Sequence, residues 1–264
     1  MIGKTKKHVI PDNNSEINLC KEFEQFFMTK INTIRNNIDT SSLSENDYPD
    51  ISTPYNDCIE KLSKFSVLTS DDLTDVLNSL SNKHCELDLI PTPLYKTVIT
   101  RLSSYILHII NTTLSLGIFP AAFKKALVKP VPKNSDLDKN ILSNYRPISN
   151  LCFLSKLIEK CVLKQLLHHL SENDLFGSFQ SAYRQFHSCE TAITKITNDI
   201  LVTLDNNEAE FLIFLDLSSA FDTVDHSVLL KKLNDDFYIN DTVLCWFKSY
   251  LTDRSYSVKI GFSI

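Results

Sequence analysis

The sequence predicts an α+β protein, helix-rich with a small sheet, in which the helices lie behind the sheet. Apolar residues recur at three- and four-residue steps through most of the chain, which is the period of amphipathic helices. A few short segments with strand patterns lie between these helical stretches. The clearest is a run of five large apolar residues at 211–215, bounded by Glu210 and Asp216, which predicts a strand buried on both faces.

The first half of the chain predicts helices separated by polar segments. An amphipathic helix is expected over 16–36, and residues 39–68 are rich in Ser, Asn, Asp and Pro, which predicts a linker. A short helix begins at Ser70 with acidic residues in its first turn, where negative charge favours the positive end of the helix dipole. The next helix follows the prolines at 91 and 93, runs to Leu116 and ends at Gly117.

The second half adds the strands. Residues 126–131 predict a short strand, and the prolines at 130 and 132 predict that it lies at a sheet edge, because proline cannot donate a ladder hydrogen bond. Ser188 is a suitable N-cap for a later helix with an apolar face. Further helices are predicted over 151–170, 188–204, 226–237 and 241–251, followed by a strand over 255–260.

Composition excludes several classes of protein. The seven cysteines of the 264-residue chain are scattered and form no Cys-x-x-Cys pair, which argues against a disulfide framework and a zinc site. The four glycines are isolated, which argues against a Gly-rich phosphate loop. No signal peptide and no membrane-length apolar run is present, so we expect an intracellular protein, nuclear or cytoplasmic, without membrane association.

Residues 120–165 form a basic island in a chain whose net charge is −5. They contain nine Lys or Arg residues and three acidic residues. Such a concentration of positive charge is typical of a surface that binds a polyanion. A solvated helix face and an adjoining loop would give the same pattern, and charge alone does not separate the two interpretations.

Asp216 is the strongest candidate for a catalytic residue, because it lies where the predicted buried strand leaves the core. A carboxylate in that position is a suitable ligand for a hard cation such as Mg²⁺. An ordinary strand-to-loop junction, in which the Asp caps the following turn, is the alternative interpretation.

The stretch 216–226, Asp-Leu-Ser-Ser-Ala-Phe-Asp-Thr-Val-Asp-His, resembles the first catalytic motif of reverse transcriptases from non-LTR (LINE-like) retrotransposons, especially the Jockey and CR1-like groups. Three further segments are similar to motifs of this family and follow one another in its order. They are residues 127–130 with Lys133, residues 144–150, and residues 180–184 with the following 187–192.

The resemblance implies a partial right-hand polymerase, with fingers and an incomplete palm. Residues 1–68 would form an N-terminal helix and linker region that precedes a partial reverse transcriptase domain at 69–264. The complete parent protein would be an RNA-directed DNA polymerase that acts through two metal ions. Its partners would be an RNA template, a DNA primer and deoxynucleoside triphosphates, and its cofactor Mg²⁺, with Mn²⁺ as a substitute.

The resemblance also assigns roles to individual residues. Asp216 would be the catalytic residue, and it would bind metal together with the carbonyl of Leu217. Phe221 would pack beneath the sugar of the incoming nucleotide. The residues that would contact the deoxynucleoside triphosphate are Lys129, Lys133, Arg146, Leu217 and Phe221. The nucleic-acid contacts are predicted from position instead. Three lysines recur at four-residue steps on one side of the helix over 151–170, where they either follow a template backbone or form an ordinary solvated face. The candidates for nucleic-acid contact are these lysines, Lys156, Lys160 and Lys164, together with Arg184.

The metal site is incomplete in this sequence. The family supplies a paired Asp-Asp on a later hairpin, after an aromatic residue and a spacer, and that motif is absent here. Asp235 and Asp236 follow Asp216 too closely to replace it, and we interpret them as helix-end residues. We therefore expect this chain to be inactive on its own.

Two other functions compete with this interpretation. Aspartate-nucleophile phosphatases also place an Asp after an apolar strand, but they need a second Asp two residues later, where this chain has Ser218. The other is a non-enzymatic remnant that retains RNA or protein binding. Detectable nucleotide incorporation would separate a polymerase from such a remnant.

Overall fold

The computed structural model describes residues 15–40, 60–80, 85–88, 90, 92–217 and 219–261. Residues 1–14, most of the predicted linker and Ser218 lie outside these ranges. The helices are α1 (Glu16–Thr40), α2 (Ser70–Ser79), α3 (Thr92–Leu116), α4 (Phe153–Glu172), α5 (Cys189–Asp205), α6 (His226–Asp235) and α7 (Asp241–Leu251). The strands are β1 (Lys125–Pro132), β2 (Tyr145–Asn150) and β3 (Ser255–Val258). The α+β prediction is confirmed.

The helices begin and end near the residues that the sequence predicted. The side chain of Thr69 accepts a hydrogen bond from the backbone N–H of Asp72, and the carboxylate of Asp72 accepts one from the backbone N–H of Thr69. This capping box starts α2. Ser188 caps α5 in the same reciprocal manner with Thr191. Gly117 ends α3 with φ of +65°, and a Cβ there would lie 2.7 Å from the carbonyl oxygen of Thr242.

The three strands form one sheet in the order β2-β1-β3, with β2 antiparallel and β3 parallel to β1. The prediction that β1 is an edge strand was wrong, since β1 is central. Pro130 pairs with Pro147 across the hairpin, and the carbonyl of Val128 accepts from the N–H of Lys259 at 2.8 Å. Backbone groups two residues apart in a strand point to the same side, so the nitrogen of Pro130, like the carbonyl of Val128, points toward β3. The pairing between β1 and β3 has already ended at Val128, so the proline removes no hydrogen bond from the sheet.

Two hydrophobic cores hold the molecule together. The larger is formed by α2, α3, α4 and α7 and includes Phe119 and Trp246, whose rings meet edge to face with centroids 5.5 Å apart. The smaller lies between α1 and one face of the sheet. It consists of Leu19, Cys20, Phe23, Phe27, Val128, Tyr145, Val258 and Ile260. The sheet is therefore covered by α1 on one face.

A polar network joins α4 to α7 beside the larger core. The hydroxyl of Ser155 donates to Glu159 at 3.1 Å, and a side-chain hydrogen bond links Glu159 to Tyr250. Burial raises the pKa of Glu159 and raises the pKa of Tyr250 to about 12. The guanidinium of Arg254 lies 4.5 Å from the centroid of the Tyr250 ring. The network thus places an ionisable carboxyl among largely buried groups.

The predicted buried strand at 211–215 was wrong. These residues connect α5 to α6 without regular structure, and Phe211, Phe214 and Leu215 are 90%, 81% and 88% exposed. A strand buried on both faces needs neighbouring strands and covering helices, and the described sheet does not extend to this segment. The predicted apolar face of α5 is likewise exposed, since no residue of that helix is buried.

Within the described residues, no helix is both long and apolar enough to cross a membrane.

Candidate nucleotide and metal site

The face of the sheet opposite α1 carries the predicted triphosphate-binding cations. Side chains alternate along a strand, and Val128 and Tyr145 face α1, so their neighbours Lys129 and Arg146 point to the other face. Arg146 is paired with Val131, two residues from Lys129, and such diagonal positions lie about 7–8 Å apart. The two side chains are therefore close enough to bind one polyphosphate.

Lys133 follows directly after β1 and is exposed. Its backbone N–H donates to the carbonyl of Asn144 at 2.8 Å, which closes the loop between β1 and β2. The loop carboxylates are engaged locally: Asp136 accepts from the hydroxyl of Ser135, and Asp138 accepts from the N–H of Asn140, both at 2.9 Å. These bonds direct the loop acids to their own loop, while Arg146 is exposed.

A carboxylate occupies part of this basic face. Glu86, in a turn before α3, forms ion pairs with Lys129 at 2.5 Å and with Lys259, which follows β3. The hydrogen bonds from Lys129 and then Lys259 lower the pKa of Glu86 below its usual value. Sequence reasoning missed both Glu86 and Lys259. Alternation along the predicted strand 255–260 could have placed Lys259 on this face, but the sequence carried no signal for Glu86.

Asp216 and Leu217 both lie exposed in the segment between α5 and α6. Among the described residues, no group of three or more His, Cys, Asp or Glu side chains is arranged to hold a metal ion. A two-metal site needs more carboxylates than Asp216 alone supplies. The residues that this structure describes therefore do not fit a two-metal centre.

The end of the Asp216 motif is anchored by hydrogen bonds. The carboxylate of Asp225 accepts from the N–H groups of Ser227 at 2.7 Å and Val228 at 3.0 Å and so caps α6. These bonds, led by that of the Ser227 hydroxyl, lower the pKa of Asp225. The guanidinium of Arg35, from α1, donates to the carbonyl of Val224 at 3.1 Å. This bond ties the end of the motif to α1.

Phe221 lies on the surface and contacts a second predicted motif. Its side chain is 79% exposed, so Phe221 is not part of either hydrophobic core. Its ring meets that of Tyr183 edge to face, with centroids 6.3 Å apart. The structure therefore brings together the first catalytic motif and the block at 180–184.

The four predicted nucleic-acid contacts lie in different environments. Lys156 is half-buried and donates to Asn150 at 2.8 Å, whereas Lys160 is exposed. Lys164 pairs with Asp72 at 3.1 Å, and the guanidinium of Arg184 lies 5.4 Å from the centroid of the Phe176 ring. The lysine row of α4 is thus partly engaged in contacts within the molecule.

Comparison with known proteins identifies the class that these features define. Residues 131–263 match the family described as reverse transcriptase (RNA-dependent DNA polymerase). The chain belongs to this family, and the resemblance predicted from its motifs is confirmed. The match includes Arg146, Asp216 and Lys259, whereas Lys129 lies just before it.

Individual relatives come from mobile elements of flies. The chain is 29% identical over 191 residues to the "Probable RNA-directed DNA polymerase from transposon BS" of Drosophila melanogaster, a match that covers 72% of this chain and 21% of the relative. It is 25% identical over 242 residues to the RNA-directed DNA polymerase from mobile element jockey of the same species, covering 86% and 26%. With the jockey protein of Drosophila funebris the identity is 30% over 158 residues, covering 58% and 16%. The chain thus spans roughly a quarter or less of the length of these relatives.

Proposed function

We propose that residues 69–264 form the fingers and the first palm segment of a right-hand polymerase, and that the protein they belong to copies a retrotransposon RNA into DNA. Residues 1–68 would precede this domain. Family membership and the fly relatives support the polymerase activity. The template, the primer and the site of action, nuclear or cytoplasmic, are part of the same proposal.

The observation that carries the proposal is the pair Lys129 and Arg146 on the face of the sheet opposite α1. Their charges can neutralise the phosphates of an incoming deoxynucleoside triphosphate, and the guanidinium can bind two phosphate oxygens at once. Lys133, at the end of the same hairpin, would add a third positive charge. The exposed ring of Phe221 would contact the sugar, and the carbonyl of Leu217 would lie beside it.

Asp216 would be a metal ligand in this proposal, with the carbonyl of Leu217 as a second ligand. Mg²⁺ or Mn²⁺ would supply stabilisation of the attacking and leaving oxygens during nucleotide transfer. Because the described residues provide no group of three or more potential metal ligands, we derive no catalytic step for this chain. Lys156, Lys160, Lys164 and Arg184 remain the proposed contacts to template and primer, with exposed Lys160 the most accessible.

A fluorescent deoxynucleoside triphosphate tests the proposed site by direct titration. Replacement of Arg146 by Ala removes a charge-assisted contact worth about 1.5–3 kcal/mol, so we expect affinity to fall by about tenfold to a hundredfold. The matched control is Arg101→Ala, at an exposed position of α3. Equal affinities of Arg146→Ala, Arg101→Ala and the unchanged protein would contradict the proposal.

A non-enzymatic protein that binds RNA or another polyanion is the second candidate. It is favoured by one observation, namely that the basic face is formed whereas no carboxylate cluster accompanies Asp216 in the described residues. Nucleotide incorporation distinguishes the two functions, because the second predicts binding without incorporation in any form of the protein.

A further inference from the structure

Three charged side chains meet where β1 and β3 run side by side. The pairing of β1 with β3 ends at Val128 and Val258, and the backbone N–H of Lys259 donates to the carbonyl of Val128, so Lys259, directly after β3, lies beside Lys129. Neighbouring strands are about 4.8 Å apart, which places the two ammonium groups within reach of one anion. In this structure that anion is the carboxylate of Glu86.

The site of the Glu86 carboxylate is more sheltered than an ordinary surface ion pair. The side chain of Lys259 is only 16% exposed, compared with 44% for that of Lys129. An ammonium group partly shielded from water interacts more strongly with an anion, because solvent and salt screen it less. Arg146 adds a third positive charge to the same face. The face thus carries more positive charge than Glu86 neutralises.

The turn that carries Glu86 is held in place by its neighbours. Cys85 is buried, with 1% of its surface exposed, and the N–H of Asp88 donates to the carbonyl of Cys85 at 3.0 Å. The carboxylate of Asp88 accepts from the backbone N–H of Phe153, the first residue of α4, at 2.8 Å. The Glu86 side chain is therefore not needed to anchor the turn and can leave its lysines without displacing the backbone.

We infer that Glu86 is an internal competitor: its carboxylate occupies the place between Lys129 and Lys259 at which a phosphate group of a bound polyphosphate sits, and the ligand must displace it. Lys259 is then a phosphate contact in addition to those already proposed. This inference rests on the proposed triphosphate site. A phosphate with a double negative charge replaces the singly charged carboxylate, whereas weakly charged anions do not, so the arrangement favours polyphosphates.

Titration calorimetry of the full chain with inorganic tripolyphosphate tests the inference. Glu86 is held by two partly sheltered ion pairs, each of modest strength, so we expect Glu86→Gln to tighten binding by about twofold to thirtyfold. The control Glu208→Gln removes the same charge from an exposed position after α5 and should leave the affinity unchanged. In the Glu86→Gln background, a further Lys259→Ala change should weaken binding, and thermal melting checks that each variant is folded.

The outcomes separate this inference from the proposed function. If Glu86→Gln binds no more tightly than Glu208→Gln while Lys129→Ala and Arg146→Ala still weaken binding, the triphosphate site stands and the inference is overturned. If Lys259→Ala has no effect in the Glu86→Gln background, the tightening reflects net charge alone, which also overturns it. If Lys129→Ala and Arg146→Ala leave affinity unchanged in every background, both the site and the inference fail.

Discussion

Phe23 joins α1 to the sheet, and its replacement by Ala tests whether this helix is an integral part of the fold. The side chain is 1% exposed. Its ring meets that of Tyr145 edge to face, with centroids 5.0 Å apart, and lies tilted against that of Phe27, with centroids 5.6 Å apart. Removing a buried phenylalanine costs about 3–5 kcal/mol, and an aromatic pair adds about 0.5–1.5 kcal/mol. We expect a loss near 4–5 kcal/mol, which is a large part of a typical free energy of unfolding of about 5–15 kcal/mol.

Equilibrium unfolding in urea measures this loss as a shift of the midpoint. The control is Met28→Ala on the same helix, because Met28 is 46% exposed and its truncation should have little effect. Since Tyr145 precedes Arg146, loosening the ring contact should also weaken binding of a triphosphate to the opposite face. The reasoning is refuted if Phe23→Ala shifts the midpoint no further than Met28→Ala does.

Two predictions concern catalysis and pH. The chain should not extend a primer on an RNA template with Mg²⁺ or Mn²⁺, because Asp216 belongs to no group of three or more potential metal ligands among the described residues. Extension that Asp216→Ala abolishes would show that reasoning to be mistaken. Burial raises the pKa of Glu159 above its unfolded value, so protonation favours the folded state. Because glutamine does not ionise, Glu159→Gln should have a larger free energy of unfolding than the unchanged protein at neutral pH. This difference should shrink as pH falls through the raised pKa of Glu159. Urea titrations at several pH values measure it, and a constant difference would contradict the assignment.

Local patterns predicted the helices well because their determinants lie close together in the chain. The helix predicted over 151–170 is present as α4, and its residues Leu157, Ile158, Cys161 and Val162, spaced as one helix face, are buried. The start of α2 at Ser70, with Asp71 and Asp72 in its first turn, depends on a few adjacent residues. Asp235 and Asp236 also lie at the end of α6, as predicted.

The predictions that failed depend on distant partners. The apolar run 211–215 carries a strand pattern, but whether it pairs depends on strands elsewhere in the protein, which a local pattern does not describe. Other long-range contacts are equally hidden from a local pattern: Lys164 pairs with Asp72, which lies 92 residues earlier. The contact between Glu86 and Lys259 spans 173 residues, so periodicity and local charge could not reveal that the basic face carries its own carboxylate.

The docking of α1 on β3 has a consequence for how the protein folds during synthesis. Its apolar side packs against Val258 and Ile260, which are among the last residues that the structure describes. Until the ribosome has released that part of the chain, Phe23 and Phe27 have no complete surface to cover. Contacts so far apart in sequence form slowly, and exposed apolar helices attract chaperones or aggregate in the interval. Ribosomes stalled before β3 should therefore carry a nascent chain whose first helix is open to protease.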